Sequence, residues 1–446
     1  MSVADQLYYF GWIFTIVAVL MAVVPYLKGT ADLITSYSIF WLGSARFVGM
    51  ESISTGKSGY FAVDPMPGDG LRFGLAIVIC YGVMVYAYRN WSIPVRMADS
   101  VLAKPPARKE LPVLVLVASL GAIIASISVL SQLRIQGVAQ MLAIGGPPAA
   151  TFAFAVVFWR WYVNKWNMGL LPPAVFFGLW ALGVSLYGQA DRRRMLAVFA
   201  TVPIVMYWTT LRYQRPAKTL TQLAIAGAVA FIFIRGYTVV RHGLREASVT
   251  EKMQMLVKSV ALGGEADSEA LLGGVVSSMS LLSMNMFHHE GDPEYFSVPI
   301  YIITNPIPRA FWADKPIGLG LTLGNTARIS SSEIHTLPGG IVGHIYHDGG
   351  LIMAPLYGLV LGGLLRFMDE LLLGRHNGPY ITAALCASSA QILSLSRGDM
   401  GTFGIQLVGI FLICWGLNFV ARMVFGTDPD SLDPDQYLQE YEPETG

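Results

Sequence analysis

The residue types best suited to chemistry are concentrated in one segment, residues 305–350. Its cations and imidazoles are Arg309, Lys315, Arg328, His335, His344 and His347. Guanidinium groups bind phosphate oxygens through paired hydrogen bonds and keep their charge, and an imidazole accepts protons near neutral pH. This combination predicts an anion-binding site beside a proton-transfer group. Hydrophobic segments flank it on both sides, so membrane helices are expected to position it.

Composition indicates an integral membrane protein. The chain has 446 residues, of which 54% are hydrophobic and 13% are charged, and its mean hydropathy is +0.53. Long charge-free runs predict spanning helices, because a bilayer core requires about 20 apolar residues per helix. The net charge of +1 does not indicate a partner, and no nucleic-acid partner is predicted. The three cysteines lie in apolar runs and are predicted to be packing residues.

The predicted fold class is all-α, a polytopic membrane protein with about ten transmembrane helices. The predicted spans are 10–27, 73–88, 111–130, 141–159, 170–187, 195–211, 220–234, 351–365, 380–395 and 402–420. Four regions follow from them: N-terminal membrane helices (1–234), a large external loop (235–350), C-terminal membrane helices (351–423) and an acidic cytoplasmic tail (424–446). The tail is predicted to be disordered.

Basic residues predict the orientation, because short cytoplasmic loops are enriched in Lys and Arg. The basic segments predicted to be cytoplasmic are 89–109, 160–165, 212–218 and 366–375. Five external loops remain, which are 28–72, 131–140, 188–194, 235–350 and 396–401. With ten spans, both termini are predicted to lie in the cytoplasm.

One predicted external loop contradicts this charge bias. It carries Arg192, Arg193 and Arg194. Either a span is misplaced and these residues are ordinary cytoplasmic anchors, or they face an anionic ligand at the outer membrane boundary. Guanidinium groups suit the second role, since they bind phosphate oxygens bidentately.

The large external loop is predicted to contain short helices. Residues 249–287 are predicted to form amphipathic or weakly apolar helices that lie over the membrane. Residues 294–305 are too few to span a bilayer, and the prolines that follow stop any helix before Arg309. This segment is predicted to dip into the membrane surface and to hold Arg309 at the level of lipid head groups. The alternative is that Arg309 is a snorkelling anchor.

Several motifs together resemble one family. They are IPRAFWADKP at 307–316, the Arg-x10-Gly spacings of Arg309 with Gly320 and Arg328 with Gly339, PGGIVGHIYHDGG at 338–350, SRGDMG at 396–401, YGQADRRRM at 187–195 and DLITSYSIFWLGSARFVGMESISTG at 32–56. These motifs resemble the external loops of bacterial O-antigen polymerases of the Wzy type, which polymerise oligosaccharide repeat units. The specific similarity covers about 60 residues, while the layout of helices is similar over most of the chain.

The resemblance implies a glycosyltransferase-C-like membrane enzyme, related to O-antigen ligases, in a bacterial inner membrane with its active site in the periplasm. Its substrates would be undecaprenyl-diphosphate-linked oligosaccharides. The growing glycan would be transferred from its lipid carrier to a hydroxyl of an incoming repeat unit. A protein that regulates chain length is a possible further partner beside the lipid bilayer.

The resemblance also implies roles for individual residues. Arginines would neutralise the leaving diphosphate in place of a metal ion, with Arg309 and Arg328 as the clamp. The assisting residues would be Arg192, Arg193, Arg194, Lys315 and Arg397. His344 is the expected general base, although many relatives have an acidic residue near this position, so the identity of the base stays open. His335 is a weaker candidate, and Tyr346 would stack on a sugar or lie at the membrane interface.

No cofactor and no metal are predicted. The best candidate metal site is HHEGDPE at 288–294, but adjacent ligands rarely converge on one ion, and this stretch is typical of a solvated turn. His344 and His347 are three residues apart, yet the following Asp-Gly-Gly is predicted to end any helix that would align them.

Two alternative functions remain. A flippase or transporter of lipid-linked sugars would also need external cations, but it is expected to carry charged residues at mid-membrane depth and broken helices. Most predicted spans are charge-free inside, which favours an enzyme working at one interface. The other alternative is an O-antigen ligase, or a polymerase of an exopolysaccharide.

Overall fold

The computed structural model of the protein is helical. It describes residues 1–105, 107, 111–130, 138–164, 167–186, 192–240, 251, 254–255, 257–258, 275–304, 312, 317–326, 337–374, 378–398 and 400–427. Within these residues, regular structure outside the helices is limited to an isolated bridge between Ala107 and Thr427. Most of the predicted acidic tail, from residue 428 onward, lies outside the described residues.

Seventeen α-helices are described. They are α1 (Val3–Leu27), α2 (Ser36–Ser44), α3 (Glu51–Ser58), α4 (Asp69–Asn90), α5 (Ser92–Leu102), α6 (Leu111–Leu130), α7 (Val138–Val163), α8 (Leu171–Leu186), α9 (Arg192–Thr209), α10 (Pro216–Val240), α11 (Val275–Met284), α12 (Ser297–Thr304), α13 (Leu319–Thr326), α14 (Gly340–Asp348), α15 (Met353–Gly374), α16 (Pro379–Ser394) and α17 (Met400–Phe425). π-Helical segments join α2 to α3 (Ala45–Met50) and extend α11 (Asn285–His289). Short 3-10 turns are Met168–Leu170, Leu211–Tyr213 and Gly350–Ile352.

Every predicted span coincides with a helix of the structure. Six helical segments are long and apolar enough to cross a membrane, and they are Val3–Leu27, Asp69–Asn90, Pro112–Leu130, Met168–Leu186, Gly350–Gly374 and Gln406–Phe425. The structure is therefore compatible with a polytopic membrane protein. By length and composition alone, the predicted count of ten spans is not confirmed.

The segment 28–72, predicted as an external loop, is helical over about half of its length. Residues 36–58 form one continuous helical element, α2 to α3, because the π-helical segment joins the two helices without a break. This element packs antiparallel to α1 along the length of α1. Successive contacts place Ser38 beside Ala22, Gly49 beside Thr15 and Gly56 beside Tyr8.

The additional element reverses the relation between α1 and α4. A single loop between them would make them antiparallel, yet they run parallel, with Phe10 packed against Phe73 and Phe14 against Tyr81. The turn after α1 therefore lies beside a segment predicted to be cytoplasmic. Its Asp32 forms an ion pair with Arg212 at 2.8 Å.

The bundle consequently has two distinct ends. We call the end that carries Arg89 and Arg212 the basic face, and the opposite end, which carries Asp69, His289 and His347, the histidine face. Tyr207 near the end of α9 donates a hydrogen bond to Asp32 at 3.0 Å. The end of α9 is thus at the basic face and its start is at the histidine face.

A buried carboxylate fixes the start of α2. Asp369 of α15 accepts hydrogen bonds from the backbone N–H groups of Ser36 at 2.6 Å and Tyr37 at 3.1 Å, and from the hydroxyl of Tyr88 at 2.8 Å. The first N–H groups of a helix lack partners within the helix, and a negative charge there is favourable. Asp369 therefore ties three helices together at the basic face.

Close contact between α4 and α15 depends on glycine. A Cβ at Gly358 would collide with the carbonyl oxygen of Cys80, and one at Gly362 with that of Met84. We expect Gly358→Leu to lower the free energy of unfolding by about 1–3 kcal/mol, because overpacking a tight contact forces backbone shifts. The denaturation midpoint in detergent measures this. Gly409→Leu is the matched control, since a Cβ there meets no atom of a described residue within 4 Å; equal midpoints for the two variants would refute the prediction.

Candidate active site

Two short buried helices, α11 and α14, form the centre of the histidine-face half. Two hydrogen bonds show that the helices run parallel to each other. The Ser280 hydroxyl donates to the Gly339 carbonyl at 2.7 Å, and the Ser283 hydroxyl donates to the Gly343 carbonyl at 2.8 Å. All nine residues of α14 are buried. Serine suits this contact because it is small and its hydroxyl satisfies a carbonyl of the neighbouring helix.

The position of α11 corrects a prediction. Residues 249–287 were expected to lie over the membrane, but Val276 to Met284 are all buried. The sequence is apolar and serine-rich on every side, which is typical of a helix enclosed by protein, because hydroxyl groups find partners on neighbouring helices. Of the first part, 249–274, only a few positions belong to the described residues.

An arginine–glutamate cluster, consisting of Arg46, Glu51 and Arg397, lies beside the start of α11. Glu51 is only 3% exposed. Its carboxylate pairs with Arg46 at 3.4 Å and accepts a hydrogen bond from the backbone N–H of Val276 at 2.9 Å. The guanidinium groups of Arg46 and Arg397 stand 5.4 Å and 5.6 Å from the ring centroid of Phe47. Two cations and one anion thus meet at the N-terminus of a buried helix.

This cluster lies deep in the bundle. Gly49, two residues before Glu51, contacts Thr15 near the midpoint of α1. The charged residues of the cluster belong to segments that were predicted as external loops, 28–72 and 396–401. Charged residues at such depth are costly unless they are paired, and in membrane proteins they mark functional sites by default.

A second polar group lies at the histidine face. Asp69 accepts the backbone N–H of Met66 at 2.9 Å, pairs with Arg72 at 3.2 Å and contacts a ring nitrogen of His289 at 2.9 Å. The neighbouring His288 is exposed, and its pKa is lowered by partial burial and then by the positive charges of His289 and Arg72. The 288–294 stretch is thus tied to α4 rather than being a freely solvated turn.

A third group joins α14 to α12. Nδ1 of His347 lies 2.8 Å from Asp348, and Nε2 lies 3.4 Å from Glu294, a charge contact without hydrogen-bond alignment. Asp348 is fully buried and accepts hydrogen bonds from the Tyr357 hydroxyl at 2.8 Å and the Val298 N–H at 3.2 Å. The Glu294 side chain is 58% exposed. This chain of groups connects a buried carboxylate to the surface.

The structure also corrects the prediction for His344 and His347. Both belong to α14, which ends only at Gly349 (φ 145°) and Gly350 (φ 73°). The glycines do end the helix, as expected, but after both histidines. His344 is fully buried, and Tyr346 is buried, which raises the pKa of its phenol to about 12.

The predicted site residues divide into three sets. Those outside the described residues are Arg309, Lys315, Arg328 and His335. Those placed only by the backbone are Arg192 and Arg193, which begin α9 together with Arg194 at the histidine-face end. Those whose side chains are described near α11 and α14 are His344, Tyr346 and Arg397.

Sequence reasoning gave no individual role to the other members of these groups, among them Arg46, Glu51, Asp69 and Glu294. A signal existed for two of them. Arg46 and Glu51 are charges five residues apart within an otherwise weakly apolar stretch, a pattern that marks paired charges inside a bundle. Asp69 and Glu294 carry no such signal, because isolated acidic residues in loops are usually solvated.

Within the part of the chain that the structure describes, no group of three or more His, Cys, Asp or Glu side chains is arranged to hold a metal ion. Comparison with protein-family models, with curated proteins and with solved structures finds no match. The functional interpretation therefore rests on the motif resemblance and on the geometry of these clusters.

Proposed function

We propose that this protein polymerises undecaprenyl-diphosphate-linked oligosaccharide repeat units, as an O-antigen or exopolysaccharide polymerase. The enzyme would be a glycosyltransferase of the inner membrane that uses arginines to hold the lipid diphosphate. The histidine face would be periplasmic and the basic face cytoplasmic, which agrees with the enrichment of Lys and Arg in cytoplasmic loops. In this orientation the N-terminus would also be periplasmic, because α1 runs parallel to α4 and both begin at the histidine face.

One observation carries the proposal: α14 connects the arginine–glutamate cluster to the histidine face. A Cβ at Gly340 would lie 3.8 Å from the carbonyl oxygen of Ser396, the residue before Arg397. His344 is four residues further along the same helix, which is about one turn, or 6 Å along the axis. The backbone next to Arg397 therefore lies about one helical turn from His344 along α14.

The proposed reaction uses these groups in defined roles. The acceptor hydroxyl loses its proton to a histidine, and its oxygen forms a bond to the anomeric carbon of the donor glycan. The bond from that carbon to the diphosphate oxygen breaks, and the electron pair leaves with undecaprenyl diphosphate. Arg397, with Arg309 and Arg328, stabilises the developing charge. His344 is the predicted base; His347, which Asp348 orients through Nδ1, is the alternative.

The direct test uses purified protein in lipid with an undecaprenyl-diphosphate repeat unit and no added metal. We expect a ladder of lipid-linked glycans that persists in the presence of chelator. Arg309→Ala and Arg328→Ala are expected to lose the ladder. A ladder that disappears with chelator would overturn the metal-free mechanism, and a single transfer to an acceptor without a ladder would indicate a ligase.

Transport of lipid-linked sugar is a second candidate, and one observation favours it. The arginine–glutamate cluster lies beside the middle of α1, and Arg46 belongs to a π-helical segment; buried charges and irregular helices are expected of transporters more than of surface enzymes. Movement of the intact lipid between leaflets, without formation of new glycosidic bonds, would select this function over the polymerase.

A further inference from the structure

The short helix α12 is fixed at its start by the last residues of α14. The backbone N–H of Glu294 donates to the carbonyl of His347 at 2.8 Å, and the N–H of Val298 donates to the Asp348 carboxylate at 3.2 Å. Further along, α12 packs on α17, and it is exposed at Ile303. Because an isolated helix of eight residues is marginal in water, the order of α12 depends on such contacts.

The turn that precedes α12 is strained. Phe296 has a φ of 58° and is the one non-glycine residue with a positive φ in the described part of the chain. A bulky residue rarely adopts this conformation, which persists where surrounding contacts impose it. Phe296 is 49% exposed, so burial of its ring contributes little, and the bonds of Glu294 and Val298 on either side hold the turn. Loss of the contacts with α14 would therefore allow the turn to relax.

His347 lies between two carboxylates. Its Nδ1 is 2.8 Å from Asp348 and its Nε2 is 3.4 Å from Glu294. The side chain is only 1% exposed, and Nε2 has no hydrogen-bond partner among the described residues. A neutral imidazole has one N–H; when that group is directed at Asp348, Nε2 is an acceptor that faces another acceptor. A protonated imidazole donates from both nitrogens. One proton therefore decides whether Glu294 is attracted to the ring.

Other ionisable groups surround this imidazole. They are His344, Tyr346 and Asp348 on α14, Glu294 and Tyr295 before α12, Tyr357 on α15, His288, His289 and Glu290 at the end of α11, and Asp69 and Arg72 on α4. The groups on α4 and His289 meet one another at Asp69. Phe287 packs edge-on against the imidazole, with ring centroids 4.6 Å apart. Within the described residues, Asp348 and Glu294 are the charged groups in direct contact with the ring.

We infer that protonation of His347 controls the docking of α12 on α14. The protonated imidazole bridges Asp348 and Glu294 and holds the start of α12. The neutral imidazole keeps only its bond to Asp348, and the attraction to Glu294 is lost. Imidazole changes its charge between about pH 5 and 8, so the docking of α12 weakens as the pH rises through this range.

Docking of α12 has a consequence for the proposed site. Arg309 follows the last residue of α12 by five positions in the sequence, so the docking would restrict where this arginine can reach. This consequence rests on the proposed function, whereas the docking itself does not. The inference also gives His347 a role other than deprotonation of the acceptor, which leaves His344 as the base of the proposed reaction.

Amide hydrogen exchange of α12, followed by mass spectrometry in nanodiscs, tests the inference. Exchange is measured at about pH 5.5 and about pH 8, near the two ends of the range in which imidazole titrates, and is corrected for its intrinsic pH dependence. We expect wild-type protection to fall about tenfold at the higher pH, the effect of losing one hydrogen bond to a charged group. Glu294→Gln removes the charge at an exposed position and should abolish this pH dependence.

Glu290→Gln is the matched control. Glu290 accepts a hydrogen bond from Asn285 at 2.7 Å, which the glutamine oxygen can also accept, so the tenfold change should persist. His289→Gln should retain it as well, which separates His347 from the neighbouring histidine. Equal wild-type protection at both pH values, or a tenfold change that persists in Glu294→Gln, would overturn the inference. The experiment contains no substrate, so a protein that makes no ladder can still show pH-dependent docking, and a polymerase can lack it.

Discussion

Arg397→Ala is expected to lower the initial rate of glycan transfer about 100-fold, because removal of one preorganised group that stabilises a developing oxyanion has an effect of this size. The Arg397 guanidinium faces Phe47 beside Glu51 and Arg46, inside the bundle, where charge is poorly screened. Arg397→Lys should recover only part of the rate, since an ammonium group does not bind two phosphate oxygens in a fixed plane. The measurement is the rate of product formation from a lipid-linked repeat unit.

Lys57→Ala provides the control for this prediction. Lys57 is an exposed cation in the last turn of α3, the helix that Glu51 begins, so its removal deletes one positive charge without touching the cluster. We expect its rate to stay within about twofold of wild type. If Arg397→Ala keeps the wild-type rate and melting temperature, Arg397 does not bind the diphosphate. The cluster would then have a structural role.

Glu51→Ala is expected to lower the free energy of unfolding by about 3–5 kcal/mol, because removing one partner of a buried ion pair leaves the other charge uncompensated. The substitution also deprives the Val276 N–H of its acceptor at the start of α11. Glu51→Gln keeps an acceptor oxygen and nearly the same volume, so its free energy of unfolding should fall less than that of Glu51→Ala. Unfolding is followed by denaturant titration in detergent micelles.

A double-mutant cycle separates the ion pair from the cap. Arg46→Ala combined with Glu51→Ala should be less destabilising than the sum of the single variants, because the uncompensated guanidinium is then absent. Ser52→Ala is a milder reference, since it removes the 3.0 Å hydrogen bond with Ser277, which is worth about 1 kcal/mol. If Glu51→Ala unfolds at the wild-type midpoint, the buried carboxylate contributes nothing to stability. If the Glu51→Ala protein does not fold at all, the same unfolding measurement is made on Glu51→Gln.

Helix positions were largely predictable, because the predicted spans are long apolar runs and all coincide with helices. The missed element, residues 36–58, shows the limit of this reasoning. Its polar residues have partners within the protein: Ser44 accepts from Tyr81, and Ser52 pairs with Ser277. A hydropathy pattern assumes that such residues face lipid, so it assigned the segment to a loop.

The residue types of the candidate site could be predicted from the sequence, but several of the residues that belong to it could not. Arginines and histidines were expected to act together, and Arg397 and His344 do lie near the same pair of buried helices. Glu51, Asp69 and Glu294 were not expected, because a carboxylate becomes part of a site only through residues far away in the chain. Asp69 and His289, for example, are 220 positions apart.

Composition and apolar runs were enough to predict an all-helical, membrane-embedded protein and the residue types that could bind an anion or move a proton. These properties depend on composition and on local apolar runs, which each segment carries alone. The direction of α4 relative to α1, the burial of α11, and the contact of Arg46, Glu51 and Arg397 around Phe47 became visible only in the folded protein. Those outcomes depend on which distant side chains satisfy one another's charges and hydrogen bonds, a property that no single segment contains.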